Sequence, residues 1–169
     1  MIDDDLLTRA RKIKLLLMDC DGVMTDGKLY FSEHGEELKV FHVRDGQGLA
    51  TWHEAGFRSG IISGRDAGLI IGRRASELGM HHVRVKSTDK IRDFEDIMAD
   101  TDLSVEEVAY VGDDLGDNGL LKRVGLAVCV ADAVEEVKAC AHFITSLKGG
   151  YGAIREITDL LLRAKRSSI

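Results

Sequence analysis

Four short stretches of this chain carry residue types suited to phosphoryl chemistry. Asp19-Cys20-Asp21-Gly22 follows the apolar run Lys14 to Met18 directly. In extended backbone, side chains two apart point the same way, so Asp19 and Asp21 can converge on one hard cation while Gly22 lets the chain turn sharply. Val111-Gly112-Asp113-Asp114-Leu115-Gly116-Asp117 again sets carboxylates just after a short apolar run, Val108 to Val111. If these two runs are neighbouring strands, the carboxylates gather at one edge, where such like charge is tolerable only beside a bound cation. Magnesium suits an all-oxygen set that keeps waters and takes up a phosphate oxygen.

Two further stretches supply groups for an anion. Ile61-Ile62-Ser63-Gly64-Arg65 ends another apolar run in a hydroxyl, a flexible glycine and a guanidinium, a set that can hydrogen-bond phosphate and pair bidentately with a carboxylate. Ser87-Thr88-Asp89-Lys90 opens a helical pattern carrying Ile91, Phe94 and Ile97. Lysine there opposes the helix dipole, so an anionic partner explains Lys90 better than the dipole does, with Lys86 as the competing candidate. Each stretch also has a plain structural alternative: an Asp-rich turn, a solvated helix start, a strand-to-helix turn and a surface lysine.

The elements that must position these groups follow from periodicity. Lys14 to Met18, Phe57 to Ile62, Val83 to Val85, Val108 to Val111 and Leu126 to Val130 are short apolar runs suited to strands buried on both faces. Between them, helical spacing covers Gln47 to Ala55, Ala67 to Leu78, Lys90 to Ala99, Gly116 to Val124, Val134 to Ala141 and Ile154 to Ala164. Such alternation predicts an α/β fold with a parallel sheet flanked by helices. Lys28 to Phe41 interrupts it as an inserted β-hairpin turning at Ser32 to Glu36. Its aromatic faces need a cover, either a neighbouring subunit or the rest of its own chain.

Composition narrows the function classes. The 169 residues are expected to form one domain, 1–169, and 44% hydrophobic with 31% charged residues is a globular balance. A net charge of -6 disfavours nucleic acid and anionic membranes as partners. The acidic start and the lack of a long apolar run lead us to expect a cytoplasmic protein. Cys20, Cys129 and Cys140 form no CxxC pair and read as reduced thiols.

Taken in order, Asp19 and Asp21, Ser63, Lys90, then Asp113, Asp114 and Asp117 resemble the haloacid dehalogenase superfamily. Phe41 to Gly46, Val108 to Asp114 and Gly149 to Glu156 narrow the resemblance to its capless sugar-acid phosphatases, the 3-deoxy-manno-octulosonate 8-phosphate phosphatase family. The resemblance implies a Rossmann-like fold without a cap domain, a homotetramer contacting through the hairpin, and a place in lipopolysaccharide sugar synthesis. It implies Asp19 as nucleophile, Asp21 as general acid and base, and Ser63 and Lys90 as assisting groups. It further implies Mg2+ on Asp19, the Asp21 backbone carbonyl and Asp113, supported by Asp114 and Asp117. Substrate contacts would come from His42, Arg44, Asp45, Gly46, Arg65 and Arg74, with Arg73 able to replace Arg74, and the glycine-rich segment at about 148–156 would help close a site. A nonulosonate 9-phosphate phosphatase and a non-catalytic assembly module are the competing readings; Arg65 favours the octulosonate and the intact aspartate set favours an enzyme. Ala50 and Gly119 depart from the pattern, standing where relatives often carry a basic residue and a proline.

Overall fold

The computed structural model describes residues 4–65 and 69–166. Six strands form one parallel sheet: β1 (Leu15–Met18), β4 (Arg58–Ile62), β5 (His82–Arg84), β6 (Val108–Gly112), β7 (Leu126–Cys129) and β8 (Phe143–Ile144), in the order β5-β4-β1-β6-β7-β8. The chain winds from β1 outward through β4 and β5, then returns to the other side of β1 with β6 and continues through β7 and β8. This reversal places a crevice at the carboxyl ends of β1 and β6, where open α/β sheets take their ligands. Leu15, Leu16, Leu17 and Met18 pair in register with Val108, Ala109, Tyr110 and Val111, so Asp19 and the residues after Gly112 leave the sheet side by side.

The central strands are apolar throughout because both faces are covered. β1, β6 and β7 are buried at every position. Helix α2 (Val43–Glu54) packs on α7 (Ala153–Arg166), and α1 (Asp4–Lys12) lies beside α7. α7 buries Ile154, Ile157 and Leu161 at helical spacing. Gly48 permits its close approach to α2: a Cβ there would come within 2.5 Å of Thr158 Oγ1 and 3.0 Å of Arg155 Cα. Trp52 is fully buried, stacks on Phe57 and donates its indole N–H to Arg58 O at 2.8 Å. Helices α3 (Ile70–Glu77), α4 (Lys90–Ala99), α5 (Asn118–Leu121) and α6 (Glu135–Lys138) complete the layers.

The expected parallel α/β architecture and the hairpin are both present, with local differences. α2 begins at Val43 rather than Gln47, because the His42 side chain caps it by accepting from Arg44 N at 3.2 Å. The segment expected as a helix from Gly116 to Val124 is a 3-10 turn, Leu115–Asp117, followed by the short α5; the start of the helix expected from Ala67 lies outside the described residues. α1 went unanticipated, although Asp4 and Asp5 in its first turn and Arg9, Arg11 and Lys12 in its last match the helix dipole. β8 is two residues long and too short for periodicity. The hairpin, β2 (Tyr30–Ser32) and β3 (Gly35–Leu38), turns more tightly than expected, and its register shifts between Tyr30 and Phe31. Phe31 is 64% exposed, and Leu29, Tyr30, Leu38 and Val40 are exposed too, so this chain alone does not cover the hairpin.

Candidate active site

Asp19, Asp21, Ser63, Arg65, Lys90, Asp113, Asp114 and Asp117 line one cleft of about 340 Å³, together with four glycines. Asp19 is held by backbone and side chain: its N–H donates to Val111 O at 3.0 Å, and its carboxylate accepts from Cys20 N and, at 2.6 Å, from Lys90 Nζ. Lys90 is the first residue of α4, and Asp89 caps that helix by accepting from the N–H groups of Ile91 and Arg92. The cap lets the lysine leave the helix start and reach inward to Asp19, the inward placement expected of the first candidate, Lys90.

Asp117 is almost fully buried and spends both carboxylate oxygens inside the site. Oδ1 accepts from Tyr110 OH at 2.7 Å and Lys90 Nζ at 2.8 Å, while Oδ2 accepts from Asp113 N at 2.9 Å and Asp114 N at 3.4 Å. Asp117 therefore folds the β6 loop around itself and fixes Lys90. Asp114 faces outward and caps the 3-10 turn through Leu115 N at 2.7 Å. Ser63 is buried at the end of β4, its N–H donating to Arg84 O at 2.9 Å.

The electrostatics follow from crowding carboxylates in a half-dry site. Burial raises the Asp19 pKa to about 6, with Lys90 opposing and Asp117 adding to the rise. Asp113 rises further, to about 8, through burial first and then the charges of Asp117 and Asp19. Carboxyl oxygens of Asp19, Asp113 and Asp117 lie within 4.8 Å of one another. With Asp117 committed to four donors, Asp19 and Asp113 remain to meet an ion. Hard oxygen donors and one neighbouring lysine fit Mg2+. Gly22 belongs to the same cradle: at φ +82°, a Cβ on it would sit 2.0 Å from Asp113 Oδ2. Cys20, between the two aspartates, is buried, and burial pushes its thiol pKa far above the ordinary range, so it is an inert packing group.

Asp21 joins the cleft through partners that the sequence reading missed. Its Oδ1 accepts from Lys39 Nζ, which also donates to Glu36 Oε1 at 2.7 Å. Arg65 closes this group, with Nε 3.6 Å from Asp21 Oδ2 and Nη2 3.5 Å from Glu36 Oε2. Lys39 directly follows β3, where a charged residue reads as part of a solvated edge.

His42, Arg44, Asp45, Gly46 and Arg74 are not among the residues that line the cleft. His42, Arg44, Asp45 and Gly46 lie at the start of α2, and Arg74 comes from α3 to meet them. Asp45 is buried, accepts from Arg155 N at 2.9 Å and so ties α2 to α7. Gly46 leaves room for the Arg74 guanidinium, which lies over the Phe41 ring with its carbon 5.6 Å from the centroid. Arg73 is 82% exposed on its side chain, so Arg74 is the inward-facing member of the pair. The Lys148 to Gly152 segment packs beside the first acidic loop, Gly150 N donating to Val23 O at 3.0 Å. Gly119 fits α5 against α4, since a Cβ there would approach Ile91 Cδ1 to 2.9 Å.

A parallel sheet that gathers five aspartates, a serine and a lysine at its switch point defines a phosphoryl-transfer hydrolase of the haloacid dehalogenase type. The family model for haloacid dehalogenase-like hydrolases matches residues 68–155, and the chain belongs to that family. Within the family it is 43% identical, over 97% of its own length and 87% of the relative's, to the 3-deoxy-D-manno-octulosonate 8-phosphate phosphatase of Yersinia pestis. Its fold superposes on the Moraxella catarrhalis enzyme of the same name, solved with magnesium ion, phosphate ion and KDO, with a TM-score of 0.91 and 34% identity over 95% of this chain and 92% of that one. The cobalt-bound Haemophilus influenzae phosphatase gives a TM-score of 0.91 at 36% identity, over 95% and 93% of the two chains.

Proposed function

We propose that this chain is a Mg2+-dependent phosphatase that hydrolyses 3-deoxy-D-manno-octulosonate 8-phosphate to the free sugar acid and phosphate. The observation that carries the reading is that Asp19, Asp21, Ser63, Lys90 and Asp113 meet in one cleft; near full-length similarity to phosphatases of that name supports the substrate.

In the first half-reaction an Asp19 carboxylate oxygen bonds to phosphorus as the P–O bond to the sugar breaks, and Asp21 gives its proton to the leaving alkoxide. The product is an aspartyl-phosphate on Asp19 and a free sugar hydroxyl. In the second, water bonds to phosphorus, its proton passes to Asp21, and the Asp19–phosphate bond breaks to release phosphate with both aspartates restored. Lys90 and Ser63 donate to the oxygens of the transferring group. Asp19, the Asp21 backbone carbonyl and Asp113 would hold Mg2+, which when bound supplies positive charge against the phosphoryl oxygens. Asp117 is proposed to support this set from behind, and Asp114 by capping the turn that carries Asp117.

Arg65, at the cleft mouth, is proposed to meet the substrate carboxylate. His42, Arg44, Asp45, Gly46 and Arg74 are proposed to serve substrate from an adjoining subunit of a homotetramer, with the exposed hairpin and the 148–156 segment at the contacts. We further propose one domain over 1–169 and a cytoplasmic location; no helix among the described residues is long and apolar enough to cross a membrane, and Cys20 and Cys129 are free, buried thiols.

The test measures phosphate release from octulosonate 8-phosphate and nonulosonate 9-phosphate side by side, with Mg2+ or EDTA, in wild type and Asp19→Asn. Mg2+-dependent release from the octulosonate, lost in the variant, is the expected result. Preference for the nonulosonate would keep the mechanism and overturn the substrate. Failure to release phosphate from either would overturn the proposal and favour a non-catalytic module.

A further inference from the structure

The hairpin between β1 and α2 presents its side chains inside out. Leu38 and Val40 are each 52% exposed, whereas the Lys39 side chain between them is 0% exposed. A buried ammonium is strongly unfavourable unless anionic partners surround it. Lys39 has two, Asp21 Oδ1 and Glu36 Oε1, and the Glu36 side chain is itself only 5% exposed. A lysine needed only to hold the hairpin together could have paired with Glu36 at the surface. Instead it reaches from the hairpin to the aspartate two residues after the nucleophile.

The contact divides the two oxygens of Asp21. Oδ1 is occupied by Lys39, whereas Oδ2 is buried, accepts no hydrogen bond from the described residues and has Arg65 Nε 3.6 Å away. A carboxylate fixed at one oxygen cannot rotate freely about its terminal torsion, a broad and soft coordinate in a free aspartate. The other oxygen is then held in one place. The geometry points to Lys39 as a positioning residue for Asp21: it anchors Oδ1 so that Oδ2 meets the leaving-group oxygen, and Glu36 orients Lys39 in turn. This rests on the phosphatase reading above, and it makes the hairpin part of the proton-transfer apparatus rather than only a surface insertion.

The test compares two substrates in the full-length chain with Mg2+. An alkyl sugar phosphate needs its leaving oxygen protonated, whereas p-nitrophenyl phosphate expels a phenolate that leaves without help. Leaving-group release in the first turnover isolates attack by Asp19 from the later hydrolysis. General acid catalysis is worth about 10²–10⁴-fold, so Lys39→Met is expected to slow first-turnover release from the sugar phosphate by about tenfold to a hundredfold and nitrophenol release by less than about threefold. In an Asp21→Asn background Lys39→Met should add nothing further, because the residue it positions has already lost its function. Glu36→Gln, which keeps the lysine, should show the same substrate split at smaller size. Equal losses on both substrates in Glu36→Gln and Lys39→Met, or effects of Lys39→Met and Asp21→Asn that multiply, would overturn the inference while leaving the phosphatase reading intact. A wild type without Asp19-dependent turnover of either substrate would overturn both.

Discussion

The raised Asp113 carboxyl makes a prediction about stability as well as about metal. Its pKa is about 8 in the fold against an ordinary value of 3.8. A carboxyl raised by folding keeps its proton in the folded state at pH values where the unfolded chain has lost it. Its stabilising effect is complete below pH 3.8 and is lost progressively as pH climbs to about 8. Each pKa unit corresponds to about 1.4 kcal/mol, so the full shift sets a ceiling of ~6 kcal/mol. Asp19 and Asp117 share the repulsion and can relieve part of it, which brings the expected loss to ~2–3 kcal/mol. For a chain of this size that is about 5–10 °C in Tm. Asp113→Asn keeps the shape and removes the charge. In EDTA, thermal unfolding should show the variant little more stable than wild type at pH 5 and about 5–10 °C more stable above pH 8. Saturating Mg2+ should close or reverse the gap, because the cation stabilises the wild-type carboxylate and has less to bind in the variant. Equal Tm values above pH 8 in EDTA, or a gap of the same size at both pH values, would refute the reasoning that burial and like charge set this site on edge.

Gly22→Ala should cost ~1–2 kcal/mol from its positive φ alone and, because the new Cβ would meet Asp113 at 2.0 Å, should also lower Mg2+ affinity in a calorimetric titration. Tyr110→Phe removes a buried hydroxyl that donates to Asp117 at 2.7 Å; Lys90 still serves that oxygen, so the expected loss is about 1 kcal/mol, at the low end for a buried unpaired acceptor, read as a fall in the denaturant midpoint. Phe31→Asp places a charge on the exposed hairpin face and should reduce the mass seen by light scattering if that face joins subunits in the proposed homotetramer; an unchanged mass would move the contact elsewhere.

Much of the sheet was legible because its strands are buried on both faces and so read as unbroken apolar runs. The strand ends then located Asp19, Ser63 and the Asp113 to Asp117 loop without further information. Lys90 was legible from a mismatch, a cation at the wrong end of a helix, which its contacts with Asp19 and Asp117 explain. Lys39 and Glu36 were not, because charge in a hairpin ordinarily means a solvated face, and only the fold shows that this face turns inward. Arg44, Asp45 and Gly46 form a conspicuous motif, and within the chain Asp45 and Gly46 also meet neighbouring helices. A motif does not reveal whether its polar atoms meet a ligand or a neighbouring helix. The Tyr110 hydroxyl was hidden for a related reason, since a tyrosine inside an apolar strand reads as core until its partner is known.

The bulge between Tyr30 and Phe31 acquires a meaning from the inside-out hairpin. Lys39 directly follows β3, so sliding β3 by one residue against β2 would move Lys39 with it and draw its ammonium away from Asp21. The irregular pairing at Tyr30 and Phe31 marks one alignment, because a bulge commits two residues of one strand to one of its partner and cannot move without being rebuilt. The alignment of a two-stranded ribbon and the proton transfer proposed for Asp21 are thus linked, and a ribbon paired one residue out of step would be a folded protein with its proposed acid disarmed.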